Sequence, residues 1–171
     1  YELLKANKID WKYLERYTNS NWLVYNNPGN KNHGLFVRDK NNQPLIFCKI
    51  KKKILKSSEE NTKPSFFGSY YFNDVNVVPS FELITKELLN DDFKPSIVAS
   101  KTDIKESVIK RIASEIAETA FEKEIELPIE WTDINGKKHD TMIGRPVSMH
   151  AMRGISAHSN GFDTCRLIHI L

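Results

Sequence analysis

The most regular pattern of apolar residues in the chain extends from residue 103 to about residue 123. Apolar side chains recur there at the three- and four-residue steps of an α-helix, and most positions between them are charged. The apolar positions are Ile104, Val108, Ile109, Ile112, Ala113, Ile116, Ala117, Ala120 and Phe121. Asp103 followed by Glu106 has the form of a capping box. The pattern therefore predicts a long amphipathic helix over about 103–123 that packs one face on a sheet.

A different pattern, the alternation of apolar and polar residues, marks three other stretches: 22–50, 66–78 and 125–143. Each contains short β-type runs separated by turn residues. Asn135-Gly136 is favoured in two-residue hairpin turns, so the third stretch is predicted to return antiparallel. Strands and helices are segregated along the chain. The predicted fold class is therefore α+β, with an antiparallel sheet built from hairpins and the long helix on one of its faces.

Two shorter helices and one extended segment are also predicted. Asp10 is placed to cap a helix that ends near Arg16, and Ser80 is placed to cap another that ends before residue 90. Residues 96–100, which follow Pro95, are predicted to be extended.

Length and composition favour one globular domain over residues 1–171. With 40% hydrophobic and 27% charged residues, the chain is composed like an ordinary globular protein. It begins with Tyr1 and ends in an apolar run, which leads us to expect either a processed chain or a segment of a longer one. No apolar run approaches the roughly 18 residues that a membrane span requires, so no membrane partner is predicted.

The two cysteines, Cys48 and Cys165, lie far apart and form no metal-binding or secreted-type pattern. Free thiols in a reducing compartment are therefore favoured, and the predicted location is cytoplasmic. A single long-range disulfide stays open as the alternative.

Charge and aromatic content suggest two binding surfaces, each with a simpler structural explanation. The net charge of +3 permits an anionic partner without requiring one. The lysine-rich stretch 49–56 is either a solvated edge strand or a phosphate-contacting stripe. The aromatic stretch 66–72 is either core packing or a stacking surface.

The most chemically suggestive segment is the polar stretch 148–161. Histidine titrates near neutral pH and arginine offers a fixed fork of donors, a combination that suits acid/base chemistry on an anionic group. The predicted catalytic residues are His150, Arg153 and His158. The predicted substrate-binding residues are Arg145, Lys51 and Lys53.

A zinc site is the alternative use of the same region, because His150, His158, Cys165 and His169 are residue types that bind zinc. Their spacing does not match a standard finger, and neither a metal nor another cofactor is predicted. His139-Asp140 lies on a predicted hairpin strand and is interpreted as a surface pair.

Two functional hypotheses follow. The first is a small enzyme or toxin-like domain that acts on a phosphate-containing substrate, nucleic acid or nucleotide, through the C-terminal His/Arg loop. The second is a non-enzymatic module that binds protein or nucleic acid through stretches 49–56 and 66–72. Both predict nucleic acid or another anionic ligand as partner, and neither specifies the oligomeric state.

Overall fold

Helices and antiparallel strands occur together throughout the computed structural model, which describes residues 1–133 and 136–171. This confirms the α+β class. The chain divides into two compact units, Tyr1–Lys110 and Arg111–Leu171. Organisation as a single domain stays a prediction.

The first unit contains short helices around two antiparallel sheets. The helices are α1 (Glu2–Lys5), α2 (Trp11–Tyr17), α3 (Ser80–Leu88) and α4 (Pro95–Thr102), with a 3-10 turn at Asp91–Phe93. The strands are β1 (Leu23–Tyr25), β2 (Leu45–Cys48), β3 (Lys53–Lys56), β4 (Tyr70–Phe72) and β5 (Val75–Pro79). One sheet has the order β1-β5-β4, and the other is the β2-β3 hairpin. Helix α5 (Glu106–Glu122) begins in this unit and ends in the second.

The core of the first unit is a cluster of four buried aliphatic side chains: Leu23, Val37, Leu45 and Val77. The segment that carries Val37 joins the two sheets. Its amide donates to the Leu23 carbonyl at 2.8 Å, and its carbonyl accepts from the Leu45 amide at 3.0 Å. Both sheets therefore contribute to one core.

An aromatic cluster holds α2 against α3. The ring centroid of Trp11 lies 5.1 Å from that of Phe66 and 5.5 Å from that of Phe81. The Asp10 side chain accepts a hydrogen bond from the Tyr13 amide at 3.0 Å, which confirms the predicted helix cap. Phe66 is 6% exposed, so core packing accounts for this part of the aromatic stretch.

Two of the local predictions around these helices are wrong. Ser80 is the first residue of α3 rather than its cap, and its hydroxyl donates to the Asn19 carbonyl at 2.7 Å. Residues 96–100 lie in α4 and are not extended. Pro95 opens that helix, where its fixed φ and missing N–H are well tolerated.

The long amphipathic helix is confirmed, but it begins at Glu106 instead of Asp103. Asp103 ends α4 in the left-handed conformation, with φ of 59°, so it does not cap α5. Of the described α5 side chains only Ala117 is buried, and Ile112 is 45% exposed. Packing of this helix on a sheet face stays a prediction.

The second unit consists of most of α5, two small ribbons and two helices. Its elements are β6 (Ile125–Leu127), β7 (Trp131–Thr132), β8 (Lys138–His139), β9 (Met142–Gly144), α6 (Arg153–Ser156) and α7 (Gly161–Ile170). β6 pairs with β9 and β7 with β8, both antiparallel, so the predicted return is confirmed. The turn predicted at Asn135-Gly136 includes Asn135, which lies outside the described residues.

Over residues 1–133 and 136–171, no helix combines the length and the apolar character that crossing a membrane requires. Cys48, which is buried, and Cys165, which is half-buried, are both free thiols.

We expect Leu23→Ala to lower the free energy of unfolding by about 2–5 kcal/mol, because it opens a cavity where both sheets meet. Leu35→Ala is the matched control, since Leu35 is 58% exposed. It should change stability by no more than about 0.5 kcal/mol. Urea unfolding followed by tryptophan fluorescence measures both values, and equal losses in the two variants would contradict the core assignment.

The loop between Val37 and β2 is ordered by one carboxylate. Asp39 Oδ1 accepts from the amides of Asn41 and Gln43, each at 2.8 Å, and Oδ2 lies 3.4 Å from Lys56 Nζ. The Gln43 amide is the largest influence that lowers the pKa of Asp39 below its usual 3.8, with Asn41 and Lys56 adding to it. The folded chain therefore favours the ionised carboxylate.

This lowered pKa predicts a pH dependence of stability. The contribution of Asp39 is fully present above the unfolded-state pKa of about 3.8 and is lost as the pH falls through the lower folded-state value. Asp39→Asn keeps an acceptor oxygen but cannot titrate. Its stability should therefore fall less steeply than that of the unmodified protein below pH 4, as measured by thermal unfolding at several pH values.

Candidate functional site

The residues predicted to be catalytic lie in the second unit around α6. His150 lies in an irregular segment before α6, Arg153 is the first residue of α6, and His158 lies between α6 and α7. All three side chains are exposed. Within the described part of the chain, none of them forms a side-chain hydrogen bond or ion pair with another residue. Their donors and acceptors are therefore available to a ligand.

Close packing between α6 and α7 shapes this segment. Gly161 is buried at the start of α7, and a Cβ atom at this position would overlap the carbonyl group of Ser156. The Gly161 amide also donates to the His158 carbonyl at 2.9 Å. Only a residue without a side chain permits this approach, so Gly161 positions the loop that carries His158.

The predicted substrate-binding residue Arg145 takes part in structural contacts. Its Nε lies 3.2 Å from Glu124 Oε1, and its guanidinium lies 5.6 Å from the ring centroid of Phe121. These contacts connect the residue after β9 to the last turn of α5 and to the residue before β6. A role for Arg145 in substrate binding stays a prediction.

Lys51 and Lys53 belong to the first unit, around the turn and strand that follow β2. Lys51 Nζ lies 2.7 Å from Glu59 Oε1, and this contact is the main cause that lowers the pKa of Glu59. Lys53 pairs in register with Cys48 at the start of β3, and its side chain is exposed. The lysine-rich stretch 49–56 thus forms the turn and the second strand of the β2-β3 hairpin, and Glu59 partly balances its charge.

The residues considered for a zinc site are distributed over the loop and α7. His150 and His158 precede α7, whereas Cys165 and His169 lie within it at a separation of four residues. Among the described residues, no group of three or more His, Cys, Asp or Glu side chains is arranged to hold a metal ion.

An open groove in the first unit, with a volume of about 980 Å³, was not indicated by any sequence pattern. Helix α2, the segment leading into β1, one residue of β2 and residues after β3 form its walls. Asn21 is 4% exposed, and its side-chain amide donates to the Glu15 carbonyl at 3.2 Å. The lining residues are Lys12, Glu15, Arg16, Tyr17, Thr18, Asn19, Asn21, Trp22, Ile46, Ser57, Thr62 and Pro64. Acidic, basic, amide and aromatic groups are mixed there, and no motif connects them in sequence.

A histidine–carboxylate pair lies in the β7-β8 ribbon of the second unit. His139 Nε2 is 3.2 Å from Asp133 Oδ2, and the Asp133 side chain is 1% exposed. The His139 ring stacks on Trp131 with centroids 4.6 Å apart, and Trp131 Nε1 donates to the Thr141 carbonyl at 2.9 Å. His139 therefore faces Asp133 across the ribbon, and Asp140 is exposed. The interpretation of His139-Asp140 as a surface pair missed this partner, because Asp133 lies six residues earlier in the sequence.

Comparison with known proteins gives a relationship that bears on function. The chain is 36% identical to a sulfite dehydrogenase subunit from Allochromatium vinosum over 180 residues, which cover 99% of this chain. The same stretch covers 18% of that protein, so the chain spans less than a fifth of the length of this relative. No model of a known protein family matches the sequence.

This relationship overturns the functional predictions. The relative is named as a subunit of a sulfite dehydrogenase, which is a redox enzyme and not a hydrolase or a nucleic-acid-binding protein. The hydrolase acting on a phosphate-containing substrate, the non-enzymatic binding module and the nucleic-acid partner are therefore wrong. The error has a physical reason: histidine, arginine, serine and glycine in a polar loop suit many small anions, and they do not distinguish phosphate esters from other oxyanions.

We expect Asp133→Ala to loosen the β7-β8 ribbon. The Lys137 amide, which donates to Asp133 Oδ1 at 3.1 Å, and the His139 ring would both lose their acceptor. An unsatisfied, partly buried donor costs about 1–3 kcal/mol, so hydrogen exchange over 131–141 should accelerate roughly tenfold to hundredfold. Asp140→Ala is the control and should leave exchange unchanged. Equal acceleration in the two variants would contradict the structural role of Asp133.

Proposed function

We propose that this chain is a segment of a redox enzyme that oxidises sulfite. The observation that carries the proposal is the 36% identity to a sulfite dehydrogenase subunit, which extends over 99% of the chain. Similarity along nearly the whole segment supports a shared fold and a shared role within a larger protein. The activity itself belongs to that larger protein, because the aligned stretch is 18% of the relative.

The reaction sets clear requirements. Sulfite and water give sulfate, two protons and two electrons, so the enzyme must bind an oxyanion, accept protons and pass an electron pair to an acceptor. Protein side chains supply the first two requirements, and electron transfer is the work of a redox group. The residues of this chain are proposed to contribute to anion binding and proton movement.

Within the chain, the exposed side chains of His150, Arg153 and His158 suit these two tasks. A guanidinium donates two parallel hydrogen bonds to an oxyanion, and an imidazole exchanges protons near neutral pH. Their lack of side-chain partners within the described residues supports a role in binding a ligand rather than in holding the fold. Arg145, Lys51 and Lys53 have weaker support, because Arg145 and Lys51 already contact carboxylates.

The name of the relative describes one subunit of an enzyme, which supports protein partners for the enzyme to which this chain belongs. The cytoplasmic location stays a prediction.

The proposed activity is tested with the complete subunit that carries this sequence. With ferricyanide as electron acceptor, we expect acceptor reduction that depends on sulfite and yields two equivalents of reduced acceptor for each sulfate formed. Sulfate in place of sulfite is the control, since it has no electron pair to release. A folded, complete protein that reduces no acceptor with sulfite would overturn the proposal.

Arg153→Ala in the same protein should raise the KM for sulfite about tenfold to hundredfold. A hydrogen bond to a charged group contributes about 1.5–3 kcal/mol, which corresponds to this range. Arg153→Lys should recover part of the loss because the positive charge remains. Lys40→Ala is the control, since Lys40 is an exposed cation of the first unit. An unchanged KM in Arg153→Ala would remove this residue from the proposed site.

A further inference from the structure

The two units differ sharply in how much apolar surface they bury. Of the eleven buried hydrophobic side chains among the described residues, ten lie in the first unit and only Ala117 lies in the second. Asp133 and Gly161 are the other buried residues described in 111–171. The second unit, as far as the structure describes it, therefore lacks a hydrophobic core of its own.

The apolar residues of the second unit are instead exposed. Ten large hydrophobic side chains of 111–171 are exposed, among them Met152 at 72%, Phe162 at 74% and Leu171 at 66%. Burial of apolar surface is the main favourable contribution to folding, and it must offset the conformational entropy lost on ordering each residue. A unit with this distribution is not expected to remain ordered in water by itself.

Helix α7 shows the same imbalance. One side carries Gly161, Cys165 and Ile168, which are buried or half-buried, and α6 is packed at the Gly161 end of this side. The other side carries Leu167 and Ile170, which are 53% and 51% exposed, beside the exposed charged residues Asp163 and Arg166. Because Leu167 and Ile170 lie three residues apart, their side chains are neighbours on the helix and form a small exposed apolar patch.

We propose that the exposed apolar side chains of 111–171 are buried against further polypeptide of the same subunit. The occupant is the part that corresponds to the relative outside the aligned stretch, which makes up more than four fifths of that protein. The inference rests on the same relationship as the proposed function, but its test measures burial and not activity. A complete subunit without sulfite oxidation would leave this inference standing.

Hydrogen exchange with mass spectrometry tests the proposal on two proteins, the 171-residue chain and the complete subunit. In the 171-residue chain, peptides from 111–171 should exchange at least about 100-fold faster than peptides around Leu23 and Val77, because local opening there costs little free energy. In the complete subunit, both regions should be strongly protected. A monomeric 171-residue chain in which 111–171 is as well protected as the core would overturn the proposal.

A second copy of the chain is the competing occupant. Light scattering distinguishes it: the 171-residue chain should be monomeric, or should associate without protecting 111–171. A defined dimer in which 111–171 becomes protected as concentration rises would overturn the proposal in favour of self-association. Absence of protection of 111–171 in the complete, folded subunit would overturn it as well.

Variants of the complete subunit provide a further test. Leu167→Lys combined with Ile170→Lys should lower the protection of 153–171 at least about tenfold, because two charges would be placed against apolar polypeptide. Lys52→Glu is the control on an exposed turn of the first unit, and it should leave exchange unchanged. Unchanged protection in the double variant would contradict burial of this side of α7.

Discussion

The first unit depends on one short segment, around Val37, whose backbone forms hydrogen bonds with both sheets. Val37 donates its amide to Leu23 in one sheet and accepts from Leu45 in the other, while its side chain is fully buried between them. Buried backbone groups must be paired, and this segment pairs groups from both sheets without belonging to a long strand. The aromatic cluster around Trp11 packs α2 against α3 in the same unit. The Asp39 carboxylate orders the loop between Val37 and β2, because it accepts hydrogen bonds from the amides of Asn41 and Gln43.

The second unit, in contrast, has short strands and, among its described residues, only one buried hydrophobic side chain. Its ribbons are two or three residues long, and a short two-stranded ribbon is marginal in water unless another element covers it. The contacts of His139 with Asp133 and Trp131 supply a local hydrogen bond and a ring stack, but they stabilise only one ribbon. Helix α7 gains its packing from Gly161, which permits close approach to α6 and leaves the other side open. These local interactions define the path of the chain, and among the described residues of 111–171 they bury only Ala117, Asp133 and Gly161.

Elements that are determined by residues close together in sequence are the ones that the sequence predicts well. The α5 periodicity and the Asp10 cap depend on neighbouring residues, and both predictions are confirmed. The prediction after Pro95 fails because proline is compatible with both an extended segment and a first helical turn, and the choice depends on the residues after it. The predicted start of α5 is wrong because Asp103 has the residue type of an N-cap but adopts the left-handed conformation that ends α4. The role of Val37 and the partner of His139 depend on pairing between strands, which periodicity does not report.

The candidate loop illustrates the same limit at the level of chemistry. Residue types specify what a site can exchange, such as protons and hydrogen bonds to an anion, and His150, Arg153 and His158 retain that capacity whichever oxyanion is bound. Phosphate esters and sulfite both present negatively charged oxygens, so donors alone do not separate hydrolysis from oxidation. What separates them is an electron acceptor, which a list of polar side chains does not specify. The similarity to a sulfite dehydrogenase subunit is the observation that favours oxidation over hydrolysis in the proposed function.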